Sequence, residues 1–455
     1  MNKYFIESAN SDAGIALTFS DFLHRVSEVK AYILAAFPNE KFIALDSDDR
    51  LRFLIAYFAV IESGKIAVLL NYKLPEATRS KQLESIGCRA ILNFSEIKSD
   101  YRADAEQATL QDFTAQLFNS ATPSTVIFTS GSTGQSKPVI LCGKAFACSA
   151  CSQVRNLCIS DTSAYLLSLP LYHVSGLSIL YRCLASGAEV ILSTENANPI
   201  NDIMHKTPTH LSLVSTQFAR LIASLTTLPK KEQTRIVSGI TAILLGGSAI
   251  SASLKSVARQ LKLPAIYGYG STETASAVCI TNSESRPDSS GFPINFCKIK
   301  ISSAGEILIK SETLALGYLQ MDESISPITD ADGYFHTGDI GTFSATEGLC
   351  VIGRKDNMFI SGGENIYPEE IEKALCELPQ IDFAIVISIE DEEFGHSPLA
   401  FVKRKTAISN EEICRELKHS LPNYKIPKRI KDIPAEYSPS GIKPNRTELK
   451  KLAGN

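Results

Sequence analysis

The segment Thr125-Val-Ile-Phe-Thr-Ser-Gly-Ser-Thr-Gly-Gln-Ser-Lys137 joins a short apolar run to a stretch rich in glycine and hydroxyl residues. The run at 125–128 predicts a strand, and a flexible loop at 129–137 follows it directly. The loop offers many backbone N–H and hydroxyl donors and Lys137 adds a cation, so it is suited to bind a polyphosphate. An ordinary surface turn is the alternative, because glycine and serine also favour turns. The position of the lysine favours the phosphate site.

A P-loop of the Walker A type would also bind phosphate, and the sequence tests this directly. That motif needs glycine immediately before the lysine and serine or threonine immediately after it. Here Ser136 precedes Lys137 and Pro138 follows it. The loop therefore fails the Walker A pattern on both sides.

Strand and helix patterns alternate on both sides of this segment. Strands are predicted at 42–45, 66–70, 90–93, 164–168, 189–192, 210–214 and 242–245. Helices are predicted at 22–36, 53–63, 176–185 and 216–226. This alternation predicts an α/β architecture with parallel strand pairing.

The pattern changes twice in the second half of the chain. Short apolar runs separated by turns at 304–305 and 332–333 predict a small β-rich subdomain at about 282–352. Beyond it, mixed helices and strands predict a compact α+β tail. A chain of 455 residues is too long for one core. We therefore predict an N-terminal domain over 1–354 and a C-terminal domain over 355–455.

Composition and charge restrict the class of protein. Hydrophobic residues make up 44% of the chain and charged residues 21%, as in ordinary globular proteins. A net charge of −4 gives no reason to expect binding to nucleic acid, which usually requires a basic face. The apolar run at 53–61 is about half as long as a membrane span, and the N-terminus lacks the apolar core of a secretory signal. We expect a cytoplasmic protein without nucleic acid or a membrane span. The sequence is compatible with a homodimer.

The 11 cysteines are odd in number, scattered and mostly flanked by apolar residues. This pattern predicts buried, reduced thiols in a cytosolic enzyme. Cys148 and Cys151 form a C-x-x-C, but no second pair stands at zinc-ribbon spacing and the local sequence predicts a helix. Metal or redox use of the pair is therefore disfavoured.

Four further segments, together with the loop, resemble the motifs of one enzyme family. They are Tyr267-Gly-Tyr-Gly-Ser-Thr-Glu273, His336-Thr-Gly-Asp339, Gly353-Arg-Lys-Asp-Asn-Met-Phe-Ile-Ser-Gly-Gly-Glu-Asn-Ile-Tyr-Pro-Glu-Glu370, and Ser440-Gly-Ile-Lys443 followed by Arg446. In this order they resemble the motifs of the adenylate-forming superfamily, which contains acyl-CoA synthetases, luciferases and peptide-synthetase adenylation domains. The resemblance implies an enzyme that uses ATP and Mg²⁺ to convert a carboxylic acid to its adenylate, and then transfers the acyl group to CoA.

The resemblance assigns a role to each matched position. The ATP contacts would be Thr129, Ser130, Gly131, Ser132, Thr133, Gly134, Lys137, Gly246, Gly247, Ser248, Gly268, Tyr269, Gly270, Asp339 and Arg354. Glu273 would hold Mg²⁺, a hard cation that prefers oxygen ligands, and Thr272 would contact the α-phosphate. A carboxylate such as Asp339 can accept from both ribose hydroxyls.

The C-terminal motifs imply a mobile lid. Lys443 would stabilise the negative charge that develops as pyrophosphate leaves, although Pro444 after it departs from the usual pattern. Asp356 would be the hinge. Gly362 and Gly363 would line the tunnel for the pantetheine thiol of CoA.

The acyl pocket carries the information on the substrate. The segments at 167–176, 212–221 and 393–396 are similar to the 2-succinylbenzoate–CoA ligases of menaquinone synthesis. In such a ligase His173 would contact or gate the carboxylate. A succinylbenzoate has a second carboxylate, which needs a cation or several donors. Ser175 and Arg220 are the candidates, and Ser215 departs from the pattern because proline is common there.

Other functions are left open by the sequence. Within the class, another aryl- or acyl-CoA ligase is the alternative, followed by an acyl-AMP ligase that serves a carrier protein. A non-enzymatic nucleotide-binding paralogue would be expected to lack Lys443, Glu273 or the loop, and all three are present.

Overall fold

The computed structural model describes residues 4–8, 16–95, 109–130, 136–193, 199–247, 250–282, 285–286, 289–434, 446 and 449–450. The helices in these ranges are α1 (Phe19–Ala36), α2 (Arg50–Glu62), α3 (Glu76–Glu84), α4 (Leu110–Asn119), α5 (Gly143–Asn156), α6 (Val174–Ser186), α7 (Ile200–Lys206), α8 (Ser215–Thr227), α9 (Lys230–Gly239), α10 (Ala252–Gln260), α11 (Pro368–Glu377) and α12 (Asn410–Leu417).

The strands of the first two-thirds of the chain are β1 (Tyr4–Ser8), β2 (Ala16–Thr18), β3 (Phe42–Leu45), β4 (Ile66–Leu69), β5 (Ala90–Ile91), β6 (Pro123–Ser130), β7 (Ser136–Cys142), β8 (Ala164–Leu167), β9 (Glu189–Leu192), β10 (His210–Leu213), β11 (Ala242–Leu245), β12 (Ala265–Ser271), β13 (Ser276–Ile280) and β14 (Phe292–Pro293). The remaining strands are β15 (Cys297–Ile301), β16 (Glu306–Ser311), β17 (Gly317–Leu319), β18 (Ile325–Ser326), β19 (Phe335–Ser344), β20 (Gly348–Arg354), β21 (Phe359–Ser361), β22 (Glu364–Ile366), β23 (Ile381–Asp391), β24 (Gly395–Arg404) and β25 (Arg429–Asp432).

Two large sheets organise the N-terminal domain. One has the strand order β14-β13-β12-β11-β10-β8-β9-β1-β2, and the other has the order β18-β17-β7-β6-β4-β3-β5. Strands β8 to β12 pair in parallel, as do β3 with β4 and β4 with β6. Parallel strands present their carboxyl ends at one edge, where ligands of α/β proteins bind. The loops after β8, β10, β11 and β12 therefore meet.

The predicted helices at 22–36 and 53–63 are confirmed, but each begins three residues earlier than expected. Thr18 caps α1 in a reciprocal capping box with Asp21, and the Asp49 side chain accepts a hydrogen bond from the Arg52 N–H at the start of α2. These caps satisfy backbone donors that the first turn of a helix leaves unpaired.

Three buried hydroxyl groups connect α2 and α6 to strand β6 through hydrogen bonds. The Tyr57 hydroxyl lies 2.9 Å from Thr125 Oγ1 and 2.9 Å from the Tyr181 hydroxyl. Burial raises the pKa of Tyr57 to about 12, so the phenol keeps its proton. Because buried polar groups need partners, these hydrogen bonds fix α2 and α6 relative to the strand that precedes the predicted phosphate loop.

The second half of the chain forms smaller sheets. A four-stranded antiparallel sheet has the order β15-β16-β19-β20, and a three-stranded sheet of β23, β24 and β25 packs with α11 and α12 near the C-terminus. Strands β17 and β18 lie within the predicted β-rich subdomain but extend the seven-stranded sheet through β7. The α/β class with a large N-terminal and a small C-terminal domain is confirmed. The domain boundaries stay predictions.

None of the helices in the described ranges is long and apolar enough to span a bilayer.

Candidate active site

Both described ends of the predicted phosphate loop belong to a β-hairpin formed by β6 and β7. Thr129 and Ser130 belong to β6, and Ser136 and Lys137 belong to β7, with Thr129 paired to Lys137. The sequence predicted a loop over all of 129–137, but the antiparallel ladder includes 129–130 and 136–137. Residues 131–135, which include Gly131, Ser132, Thr133 and Gly134, lie outside the described residues.

The turn after β12 holds Thr272 and Glu273 in a 3₁₀ helix. The Ser271 N–H donates to Thr274 Oγ1 at 2.8 Å, and this hydroxyl donates to the Ser276 carbonyl oxygen at 2.7 Å. Ala275 and Ser276 have φ angles of +51° and +121°, and residues other than glycine rarely adopt such positive values. Such strain persists only where the surroundings over-determine it, and it clusters at functional sites.

Glu273 is tied to both large sheets. Its carbonyl oxygen accepts a hydrogen bond from the Ala315 N–H at 2.8 Å, and the next residue, Leu316, donates from its N–H to Ile140 of β7 at 2.9 Å. The Tyr318 hydroxyl donates to Glu273 Oε1 at 3.0 Å. The segment 315–318 therefore connects the β12 turn to the edge of the seven-stranded sheet.

Tyr318 also links Glu273 to the lysine of the hairpin. Lys137 Nζ lies 5.4 Å from the centroid of the Tyr318 ring, within the range of a cation–π contact. Burial, reinforced by the Glu273 carboxylate, raises the pKa of Tyr318, so its hydroxyl stays a donor. Sequence reasoning missed this residue, which carries no motif of its own.

Asp339 lies in a second network that reaches the predicted hinge. The Tyr269 hydroxyl donates to Oδ2 at 2.6 Å, and Arg354 Nη1 donates to Oδ1 at 2.9 Å. Arg354 Nη1 also donates to the Thr337 carbonyl oxygen, and Nη2 donates to Asp356 Oδ2 at 3.3 Å. A carboxylate has about four acceptor positions, so Asp339 keeps capacity for further donors. The structure thus brings Tyr269, Asp339, Arg354 and Asp356 together.

The glycines predicted to face a nucleotide differ in their surroundings. A Cβ on Gly270 would lie 2.0 Å from the Ser276 carbonyl oxygen, and one on Gly268 would lie 3.1 Å from the Ala277 Cβ. A Cβ on Gly246 would meet nothing closer than 3.7 Å, and Gly247 has a φ of +83°. Packing within the chain therefore accounts for Gly270, whereas space remains beside Gly246. Ser248 lies outside the described residues.

The predicted acyl-pocket residues follow neighbouring strands. His173 is the N-cap residue of α6, with its ring 4.7 Å from that of Tyr172, and Ser175 lies half-buried in the first turn. Arg220 lies on α8 with an exposed side chain. Since β8 and β10 pair in parallel, α6 and α8 start at the same edge of the sheet.

The predicted CoA-tunnel glycines form the turn between β21 and β22. Gly362 and Gly363 have φ angles of +56° and +89°, and a Cβ on Gly362 would lie 2.8 Å from the Phe394 ring. The turn geometry is enough to explain both glycines, so the tunnel stays a prediction. Lys443 lies outside the described residues.

Comparison with known sequences places this geometry in a family. The profile described as AMP-binding enzyme matches residues 2–319, and that of the AMP-binding enzyme C-terminal domain matches residues 370–437. The chain belongs to the AMP-binding enzyme family. It is accordingly an adenylate-forming, AMP-forming acid–CoA ligase family enzyme.

Two similar proteins are both 2-succinylbenzoate–CoA ligases. The 2-succinylbenzoate–CoA ligase of Bacillus licheniformis is 30% identical over 442 residues, with 90% of each chain covered. The enzyme of the same name from Salmonella typhimurium is 31% identical over 412 residues, covering 90% of this chain and 86% of that one.

Solved structures agree with the fold. The o-succinylbenzoate CoA synthetase of Bacillus subtilis with its acyl-adenylate intermediate matches with a TM-score of 0.81 at 27% identity, covering 96% of this chain and 93% of that chain. The same enzyme with ATP and magnesium ion matches with a TM-score of 0.77 at 28% identity, covering 92% and 91%.

Sequence reasoning also missed Arg182, which contacts Ser276 in the turn after Glu273. Arg182 of α6 is 1% exposed. Its Nε donates to Gln153 Oε1 at 2.6 Å, Nη1 donates to the hydroxyls of Tyr165 and Ser212 at 3.2 and 3.3 Å, and Nη2 donates to Ser276 Oγ at 3.2 Å. Within the described part of the chain, all the recorded acceptors of this guanidinium are neutral.

A buried arginine whose recorded partners are all neutral is unusual, because buried charges are normally paired. The signal in the sequence was a single arginine in the apolar run Leu177-Ser-Ile-Leu-Tyr-Arg182-Cys-Leu-Ala185. Ser175, Ser178 and Arg182 stand at i, i+3 and i+7 and share one helix face. Ser178 Oγ donates to the Ala275 carbonyl oxygen at 3.4 Å, so this face lies against the turn that follows Glu273.

We expect Gly270→Ala and Gly246→Ala to behave differently. The new methyl at 270 clashes with backbone, which should lower the free energy of unfolding by about 1–3 kcal/mol or more. The methyl at 246 should change stability by less than about 0.5 kcal/mol. If adenine lies against Gly246, the second variant should instead raise the KM for ATP by about tenfold, a loss of about 1.4 kcal/mol in binding.

Denaturant unfolding and steady-state kinetics of the two variants measure these quantities. An equal loss of stability, or an unchanged KM for ATP in Gly246→Ala, would contradict the placement of the nucleotide.

Proposed function

We propose that the protein converts 2-succinylbenzoate, ATP and CoA to 2-succinylbenzoyl-CoA, AMP and pyrophosphate through an acyl-adenylate. The observation that carries the choice of acid is the buried Arg182 guanidinium beside the turn after Glu273, with only neutral acceptors recorded around it. The two relatives at 30% and 31% identity, both 2-succinylbenzoate–CoA ligases, support the same acid.

The nucleotide half of the site uses two tyrosine-supported carboxylates. Glu273 is the Mg²⁺ ligand in this proposal, because a half-buried carboxylate oriented by the Tyr318 hydroxyl suits a hard cation. The ion would supply charge neutralisation between the phosphates. Asp339, oriented by Tyr269 and Arg354, accepts from the ribose hydroxyls. Lys137, the second residue of β7, contributes a cation towards the phosphates.

The acid half of the site needs a group for the carboxylate that is not activated. Arg182 provides this group, since a charge-assisted hydrogen bond contributes about 1.5–3 kcal/mol. Nη2 carries two hydrogens and has one recorded acceptor, the half-buried Ser276 hydroxyl. Ser175 lies on the same helix face. Arg220, the cation expected from sequence, is exposed, and solvent weakens ion pairs there. Arg182 is therefore the stronger candidate.

The chemistry proceeds in two displacements. The substrate carboxylate attacks the α-phosphate, and the P–O bond to pyrophosphate breaks while Lys443 stabilises the developing charge. The thiol of CoA then loses its proton and attacks the acyl carbon, and AMP leaves. His173, at the start of α6, contacts or gates the reacting carboxylate. The C-terminal domain turns about Asp356 between the two steps.

This assignment places the enzyme in menaquinone synthesis and in the cytoplasm, where ATP and CoA are available. Another aryl- or acyl-CoA ligase is the alternative within the class.

Pyrophosphate release should be measured over a panel of acids with ATP, Mg²⁺ and CoA. We expect 2-succinylbenzoate to have the highest kcat/KM, by at least about tenfold over monocarboxylates of similar size, because only a dicarboxylate uses both ends of the pocket. Faster turnover of aromatic monoacids or fatty acids would refute the assignment. Transfer to a carrier-protein thiol in preference to CoA would favour an acyl-AMP ligase.

Gln153→Glu tests the role of Arg182 without changing its position. The new carboxylate would pair with the guanidinium 2.6 Å away and compete with the substrate's second carboxylate. We expect kcat/KM to fall by about tenfold or more for 2-succinylbenzoate, and by less than about threefold for a monocarboxylate lacking that group. Parallel losses for both acids, with an unchanged melting temperature, would show that Arg182 does not select the acid.

Lys443→Ala separates the two half-reactions. Adenylation, measured as acid-dependent ATP–pyrophosphate exchange, should fall by at least about 100-fold because a transition-state cation is lost. Thioester formation from preformed adenylate should stay within about threefold of wild type. Equal loss of both steps would contradict the domain rotation.

A further inference from the structure

The C-terminal domain contains a buried ion cluster around Arg446. Its Nη2 donates to both carboxylate oxygens of Glu372, at 2.6 and 2.7 Å, and lies 3.3 Å from Glu369 Oε1. Its Nε donates to the Val386 carbonyl oxygen at 3.3 Å, and the Val386 N–H donates to Glu372 Oε1 at 2.7 Å. Arg446 is thereby bound to α11 and β23 together.

Chain connectivity makes this cluster an anchor for Lys443. Lys443 and Arg446 are three positions apart, and a fully extended chain spans at most about 11 Å over that separation. Beyond Arg446, Leu449 is fully buried in an apolar cluster with Ile385 and Phe401. The C-terminal side of the lysine segment is therefore held by one ionic contact and one apolar contact.

The same cluster touches the predicted hinge. Asn357 Nδ2 donates to Glu369 Oε1 at 2.5 Å, and Asn357 lies in the 3₁₀ turn that contains Asp356. Glu369 Oε2 is buried and has no hydrogen-bond partner among the described residues. Two glutamates of one helix thus connect the hinge turn to the anchor of the lysine segment.

We propose that Glu372 is a positioning residue for adenylation: its carboxylate holds Arg446, and this contact presents Lys443 to the reacting phosphate. The inference rests on the proposed function, because it takes Lys443 as the lysine of the adenylation step. Glu372 acts only through Arg446 and touches no substrate.

The electrostatics of the cluster agree with this role. Burial outweighs the attraction of Arg446 and raises the pKa of Glu372 to about 7. A carboxylate in such a site depends on its guanidinium partner to remain charged. Of Glu372 and Arg446, Glu372 is the better residue to replace. Arg446 would then still have a carboxylate partner, because Glu369 lies beside it.

Glu372→Gln is the test variant. A glutamine keeps the shape and an acceptor for the Val386 N–H, and it removes only the charge. Glu370→Gln is the matched control, since Glu370 is on the same helix and pairs with Lys425 at 2.6 Å instead of with Arg446. Arg446→Lys is a second test variant, because a lysine has no Nε to donate to the Val386 carbonyl oxygen while its ammonium binds Glu372.

The two half-reactions are measured separately in full-length protein, by ATP–pyrophosphate exchange and by thioester formation from preformed adenylate. In Glu372→Gln and Arg446→Lys we expect kcat for exchange to fall by about tenfold or more, with the KM for ATP and the thioester step within about twofold. In Glu370→Gln both steps should stay within about twofold of wild type.

An exchange rate in Glu372→Gln equal to that of Glu370→Gln would overturn the inference. So would parallel loss of both half-reactions, which indicates a merely structural ion pair. Measuring Lys443→Ala together with these variants distinguishes the failure of the Glu372 inference from the failure of the Lys443 assignment. If it loses exchange while Glu372→Gln does not, only this inference fails. If Lys443→Ala retains exchange, the assignment of the adenylation lysine fails as well.

Discussion

Two backbone hydrogen bonds from consecutive residues hold the two large sheets together at the site. The Ala315 N–H binds the carbonyl oxygen of Glu273, and the Leu316 N–H binds that of Ile140. A buried backbone donor that loses its acceptor costs roughly 1–3 kcal/mol, so neither sheet can slide without breaking one of these bonds. Tyr318, two residues after Leu316, contacts both Glu273, through its hydroxyl, and Lys137, through its ring. The geometry of the proposed nucleotide site depends on this connection.

Charge is arranged differently in the two halves of the proposed site. Glu273 and Asp339 each accept a hydrogen bond from a tyrosine, and burial together with the neighbouring carboxylate raises the pKa of both tyrosines. These phenols stay protonated and orient the carboxylates without neutralising them. Around Arg182 the recorded partners are neutral instead. Preorganised charge of this kind is most effective where water is excluded.

Much of the fold followed from local pattern. Buried strands such as Phe42–Leu45, Glu189–Leu192 and Ala242–Leu245 agree residue for residue with their predictions, because short apolar runs between turns leave few alternatives. Helix starts were less accurate, since the caps at Thr18 and Asp49 precede the apolar periodicity. The strand predicted at 90–93 is limited to Ala90–Ile91, where pairing with β3 ends.

The sequence alone predicted the α/β class and the order of the motifs. Through the family resemblance it also assigned Asp339, Glu273 and Lys137 to one candidate site, because each motif is a short continuous segment that can be recognised without the fold. Only the tertiary structure identified Tyr318 and Arg182, and it placed Arg220 in solvent. It also showed that Arg446 binds Glu372, 74 residues away. Such residues have no local signature, since their roles depend on burial and on partners that the folded chain brings together.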